Sequence, residues 1–121
     1  MAKVLIVDDS QTETKRFTQF LEKNGHSVIT AASGEGGIET ARSELPDLIL
    51  MDVVMPGLNG FQATRHLTRD DVTKHIPVVI VTTKNQETDK VWGQRQGASA
   101  YLTKPVSEEL LVETINAQLN A

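Results

Sequence analysis

Apolar residues along this chain gather in short runs separated by longer segments with helical spacing. "VLIV" (4–7), "LILM" (48–51) and "PVVIV" (77–81) are brief, aliphatic and rich in β-branched residues, while "SVITA" (27–31) and "AYLT" (100–103) are weaker runs of similar length. Runs of this length and make predict β-strands. The segments between them predict helices. Ser10 and Glu13 have the spacing of a capping box, Phe17 and Leu21 share a face, and Gly25 stops the pattern. A second helix carries Ile38, Ala41 and Leu45 inward and stops before Pro46, with Gly34, Gly36 and Gly37 loosening its start. A third follows Gly60, a fourth follows Asn85, and a fifth starts near Ser107 and aligns Leu111, Ile115 and Leu119.

Five strands thus alternate with five helices, and the middle strands are apolar on both faces. That pattern predicts an α/β fold in which helices cover both sides of a parallel sheet: a single doubly wound (βα)5 sandwich with right-handed crossovers. A chain of 121 residues is large enough for one core, so residues 1–121 are read as one domain with no output domain attached.

Charge and composition narrow the function. Twelve basic against sixteen acidic residues give a net charge of -4, the opposite of a nucleic-acid footprint, so no nucleic acid is expected as partner. The chain has no cysteine, which removes disulfides, thiolate metal sites and a cysteine nucleophile. "MAKVLIVDDS" is too short an apolar run for a signal peptide, and no run approaches the roughly 18 apolar residues of a membrane span. A soluble, cytoplasmic protein without membrane insertion is expected.

The chemistry lies at the carboxyl ends of the strands. Asp8 and Asp9 follow the first, Asp52 the third, Thr82 and Thr83 the fourth, and Lys104 the fifth. In open α/β sheets these ends meet in a crevice where ligands bind, so residues far apart in sequence should converge. Three carboxylates there would repel one another unless a proton or a hard divalent cation intervenes, and carboxylate oxygen suits Mg²⁺. A lysine and two hydroxyls are what a phosphoryl group needs for its oxygens, and a carboxylate can be the nucleophile that takes it.

"VDDS", "LILMDVVMPGLNG", "VIVTT" and "YLTKP", in this order and spacing, resemble the receiver domain of bacterial two-component response regulators of the chemotaxis (CheY) type, across the whole chain. The resemblance implies a flavodoxin-like sheet of order 2-1-3-4-5. It implies that Asp52 is the phosphoacceptor, and that Mg²⁺ is held by Asp9, Asp52 and the backbone carbonyl of Val54, with Asp8 acting mainly through water. It further gives Lys104 to the phosphoryl oxygens, Thr82 as the switch hydroxyl, Tyr101 as the aromatic that turns inward behind it, and Pro105 as the residue after a cis peptide bond. Two departures bear on dephosphorylation: Thr83 stands where the family often has alanine or glycine, and Val54 brings no polar side chain.

At finer grain, "MPGLNGFQATRHLTRDD" and "VTTKNQETDKVWGQRQGASAYLTKP" resemble small regulators of the chemosensory systems that control type IV pilus twitching motility. The implied partners are a histidine kinase, or the phosphotransfer domain of a CheA-like kinase, and a downstream motility protein that reads the face of helix four, strand five and helix five. The chain itself is expected to be a monomer. It is not expected to be an enzyme, although it would accept the phosphoryl group and release it. Two other readings use the same residues: a phosphate sink that drains a shared kinase, and an aspartyl-nucleophile phosphatase of the haloacid dehalogenase type. The latter needs an acid two residues after the nucleophile, where Val54 stands.

Plainer readings stand beside these. Asp70 and Asp71 form an equally acidic pair, but they precede a strand and read as exposed loop charge. His26, His66 and His75 lack metal spacing and read as surface residues. Trp92, in a fourth helix with a poor apolar pattern, serves packing or partner contact equally well.

Overall fold

The computed structural model describes residues 1–120. Strands β1 (Lys3–Val7), β2 (Ser27–Ala31), β3 (Leu48–Met51), β4 (Val78–Thr82) and β5 (Ala100–Thr103) alternate with helices α1 (Gln11–Lys23), α2 (Gly34–Glu44), α3 (Gly60–Arg69), α4 (Glu87–Arg95) and α5 (Glu108–Leu119). All strands pair in parallel in the order β2-β1-β3-β4-β5, so the (βα)5 sandwich and its strand order are as expected. The order reverses between β1 and β3, and the crevice at their carboxyl ends is the switch point.

Side-chain alternation along the strands builds two cores. Val4, Ile6, Leu48, Leu50, Val79 and Val81 face one side, where Phe17 and Leu21 of α1 and Leu111 and Ile115 of α5 cover them. Leu5, Val7, Ile49, Met51 and Val78 face the other, against Ala41 of α2 and Ala63 and Leu67 of α3. Every residue of β3 and β4 is buried, which explains their unbroken apolar runs. No helix among the described residues is long and apolar enough to cross a membrane.

Three expectations fail for reasons of packing. The glycines of α2 do more than loosen its start: a Cβ at Gly34 would lie 2.6 Å from the Leu58 carbonyl oxygen, and one at Gly37 would lie 2.7 Å from Val7. They let α2 lie close on β1 and on the β3–α3 loop. Leu45 does not point inward; it ends α2 in the left-handed region at φ 47° and is 48 % exposed. Pro46, which resists continuing the helix, comes immediately after it.

His26 is not on the surface. It is 8 % exposed, and its Nδ1 accepts the backbone N–H of Ala2 at 3.1 Å, pinning the start of β1 to the α1–β2 turn. Burial, with the charged amino terminus nearby, holds its pKa below the ordinary 6.5. The unfolded chain therefore binds this proton more tightly than the folded one, so the stability His26 contributes is complete above pH 6.5 and is lost as the pH falls through the lowered folded value. Denaturant titrations at about pH 7.5 and about pH 5.5 should show a smaller loss on acidification for His26→Gln than for wild type. Equal losses would contradict this placement.

Candidate functional site

One backbone device carries three of the site residues beyond their strands. The Asp8 N–H donates to the Ala31 carbonyl at 3.1 Å, that of Asp52 to Val7 at 2.9 Å and that of Lys104 to Thr82 at 2.8 Å. Each continues the parallel ladder by one step, so each side chain leaves its strand at the same rim. There they meet. Lys104 Nζ lies 2.8 Å from Asp8 Oδ2 and 3.4 Å from Asp52 Oδ2, with all three side chains at 10 % exposure or less. Oxygens of Asp8, Asp9 and Asp52 all lie within 4.8 Å of one another, and Asp9 alone of the three is exposed to solvent.

The electrostatics of this cluster are unbalanced. One ammonium faces three carboxylates. Burial, reinforced by Asp8, raises the Asp52 pKa above its ordinary value against the opposing pull of Lys104 and the Val53 N–H. Burial also works against the Lys104 charge, but Asp8 and Asp52 outweigh it and hold the lysine pKa above its ordinary value, with Glu13 of α1 adding to the effect. The remaining negative charge, on hard oxygen donors with one side open, fits a divalent cation such as Mg²⁺.

Asp52 is fixed from several sides. Its Oδ1 accepts the Val53 N–H at 2.7 Å and the Val54 N–H at 3.4 Å. The Gly60 N–H donates to the Val53 carbonyl at 3.0 Å, and a Cβ on Gly60 would lie 1.9 Å from the Asp52 carbonyl oxygen. The first turn of α3, capped by Asn59 in a reciprocal box with Gln62, thus rests directly on the backbone of Asp52. The Val54 side chain points to solvent, 56 % exposed.

The remaining residues singled out from sequence surround this centre. Thr82 is fully buried at the end of β4, whereas Thr83 is exposed. The Lys104–Pro105 peptide bond is cis. Tyr101 is half-buried, packs with Ile80, Val53 and Phe61, and donates its hydroxyl to the Lys84 carbonyl at 2.8 Å. That bond ties β5 to the β4–α4 loop, and Tyr101→Phe should cost about 1 kcal/mol in a denaturant titration. Burial, with Asp89 and Asp52 nearby, pushes the phenol up to about 12. Tyr101 is the only tyrosine, so tyrosinate absorbance reads it directly, and a midpoint near the ordinary 10 would contradict the geometry.

Sequence reasoning missed or misassigned several supports. Ser10 Oγ accepts the Glu13 N–H at 3.3 Å, but the reciprocal half of the expected box is absent: the Ser10 N–H donates instead to Asp8 Oδ1 at 2.9 Å. Asp8 therefore serves both the α1 entrance and Lys104. Arg16 donates to the Val106 carbonyl at 2.7 Å and stacks over Phe20 at 4.9 Å, so α1 braces the loop that carries Lys104. No motif marks Arg16, because its partner is 90 residues away. Trp92 is 48 % exposed, so it is not part of the buried core and about half of it is open to solvent.

Comparison with known proteins agrees with this construction. Residues 4–116 match the response regulator receiver domain family. The chain is 66% identical over 119 residues to protein PilH of Pseudomonas aeruginosa, covering 98% of each. Among solved structures it superposes with a TM-score of 0.91 on the chemotaxis protein CheY4 of Vibrio cholerae, at 33% identity over 97% of this chain and 98% of that one. A response regulator from Chloroflexus aurantiacus gives a TM-score of 0.95 at 31% identity, covering 99% and 98%. Built on this sheet and matched along almost its whole length, the chain belongs to the response regulator receiver domain family.

Proposed function

We propose that this protein is a phosphorylation-controlled signalling module of a two-component phosphorelay, loaded on Asp52 by a histidine kinase or a phosphotransfer domain of the CheA-like kind. One observation carries the reading: a buried aspartate at the switch point, 3.4 Å from Lys104 and clustered with two further carboxylates. A carboxylate oxygen of Asp52 attacks phosphorus, the bond from phosphorus to the donor histidine breaks, and its electron pair stays with the imidazole. Asp8, Asp9, Asp52 and the backbone carbonyl of Val54 would hold Mg²⁺, which supplies positive charge to the phosphoryl oxygens. Lys104 turns its ammonium from the carboxylates to those oxygens, and Thr82 offers a neutral hydroxyl to the same group. Pro105 helps aim Lys104, while Tyr101, behind Thr82, carries the change to the face of α4, β5 and α5. The protein is a phosphoryl acceptor that turns over only its own aspartyl-phosphate, and a partner protein reads its state.

The finer reading is control of type IV pilus twitching motility in the cytoplasm. It is supported by the 66% identity to PilH over nearly the full length of both chains. The experiment has two arms. Radiolabelled phosphoryl should pass from a purified CheA-like kinase to this chain in Mg²⁺ and stop on chelation; transfer that ignores the chelator contradicts the chemistry. A strain carrying Asp52→Asn should twitch abnormally; unchanged twitching contradicts the assigned behaviour while leaving the chemistry in place.

A further inference from the structure

On α3, Phe61, Ala63, Thr64 and Leu67 are buried, which leaves Arg65, His66 and Arg69 along its outer face. Arg65 and Arg69 are one turn apart, a like-charge pair that weakens a helix. Basic groups in the last turn offset the helix dipole, but His66 and Arg69 already provide that, and Arg65 lies earlier. The local acid is also spent: Asp70 pairs with Arg42 of α2 and accepts the Val72 N–H at 2.9 Å. Among the described residues, none of Arg65, His66 and Arg69 has a carboxylate partner. With Ile38 and the paired Arg42 and Asp70 they line a groove of about 490 Å³ between the two helices, in which the arginines outnumber the one carboxylate. In a chain of net charge -4, two arginines without a carboxylate partner on one helix face are more positive charge than the end of α3 needs.

We propose that the α2–α3 groove docks an acidic segment of a partner protein, with carboxylates on Arg65, His66 and Arg69 and an apolar side chain against Ile38. The guanidinium fork matches a carboxylate in two hydrogen bonds, and a groove between two helices with an apolar wall suits an inserted amphipathic segment. A nucleotide is a poorer occupant because the His66 imidazole is the one ring in the groove lining, and no phenylalanine, tyrosine or tryptophan is there for a base to stack on. A membrane surface is poorer too, because it calls for a larger polybasic cluster than these residues form. A second copy could offer its own acidic groove, lined by Glu108, Glu109 and Glu113, but that contact would be head-to-tail and would build open chains. The groove sits toward the end of α3 away from Gly60, so docking there is separate from the Asp52 site and adds a second contact to the proposed signalling role.

The test titrates the full-length, isotope-labelled chain with a short synthetic peptide carrying glutamate and leucine at helical spacing, followed by amide chemical shifts. Saturable shifts at Ile38, Arg65, His66 and Arg69 are expected, with none from a matched peptide carrying glutamine in place of glutamate. R65E/R69E should weaken binding at least about tenfold. R65Q/R69Q, which adds no new charge, should also weaken it and keeps the test open if the reversal variant unfolds. The proposal is overturned by absent or unsaturable shifts, or by affinity unchanged in both variants. It is equally overturned if phosphatidylglycerol vesicles or inorganic phosphate shift the same amides as strongly. Concentration-dependent mass growth in sedimentation, lost in R65E/R69E, would replace the partner with a second copy. Phosphoryl loading of Asp52, measured alongside, should be unchanged in both variants, which separates failure of this inference from failure of the proposed function.

Discussion

Replacing Lys104 by methionine is expected to cost about 3–5 kcal/mol of folding stability and to slow phosphoryl loading of Asp52 about 10²-fold or more. Methionine keeps the length and bulk of the side chain but removes the charge. Asp8 and Asp52, whose side chains are 3 % and 9 % exposed, then face each other without the ammonium that both now contact. The remaining charge is buried and uncompensated, which is why removing one partner costs more than the pair contributes. The loss in rate has a separate origin, because the positive charge that would meet the phosphoryl oxygens is gone. Mg²⁺ distinguishes the two effects. It should stabilise wild type by mass action and stabilise Lys104→Met by more, since the ion meets a more negative site. Loading should stay slow even when stability is recovered. A variant as stable as wild type without Mg²⁺ would show that Lys104 does not balance the carboxylates.

Gly60→Ala is expected to destabilise the protein by about 3 kcal/mol or more, although alanine normally suits a helix better than glycine. The added Cβ would fall 1.9 Å from the Asp52 carbonyl oxygen and 2.7 Å from the Val53 Cα. These are backbone atoms and cannot turn aside, so either the first turn of α3 lifts or Asp52 moves. Loading of Asp52 should fall together with stability. Gly36→Ala in α2 is the control: its Cβ would meet only the Ser33 and Ala31 side chains, the nearer at 3.0 Å, and the change should stay within about 1 kcal/mol. Comparable losses in the two variants would mean that the close approach at Gly60 is not what makes it costly.

Much of this site could be read from the chain because its parts are local signals at fixed places. Val4–Val7, Leu48–Met51 and Val78–Val81 are apolar without interruption because β1, β3 and β4 are central strands. A charged or hydroxylated residue directly after each therefore stands out, and parallel pairing brings those ends together. What could not be read depends on contacts between distant segments. His26 is buried where the chain start, 24 residues earlier, packs beside it and the amide of Ala2 reaches its ring. Gly34 and Gly37 become close contacts only when α2 lies on Leu58 and Val7. Ser10 and Glu13 carry the residue types of a capping box, yet Asp8 takes the Ser10 N–H first. Asp70 reads as loop charge until Arg42, 28 residues earlier, packs beside it, and the same packing makes one groove of two unremarkable basic segments.

The central claim is that Asp52 is the one carboxylate in the crevice that accepts a phosphoryl group. Its most direct test is the intact mass of the protein after incubation with acetyl phosphate and Mg²⁺, for wild type and for Asp52→Asn. The amide keeps the shape of the side chain and removes the nucleophilic charge. The account predicts a gain of one phosphoryl group in wild type and none in Asp52→Asn; no gain in wild type, or an equal gain in the variant, would contradict it.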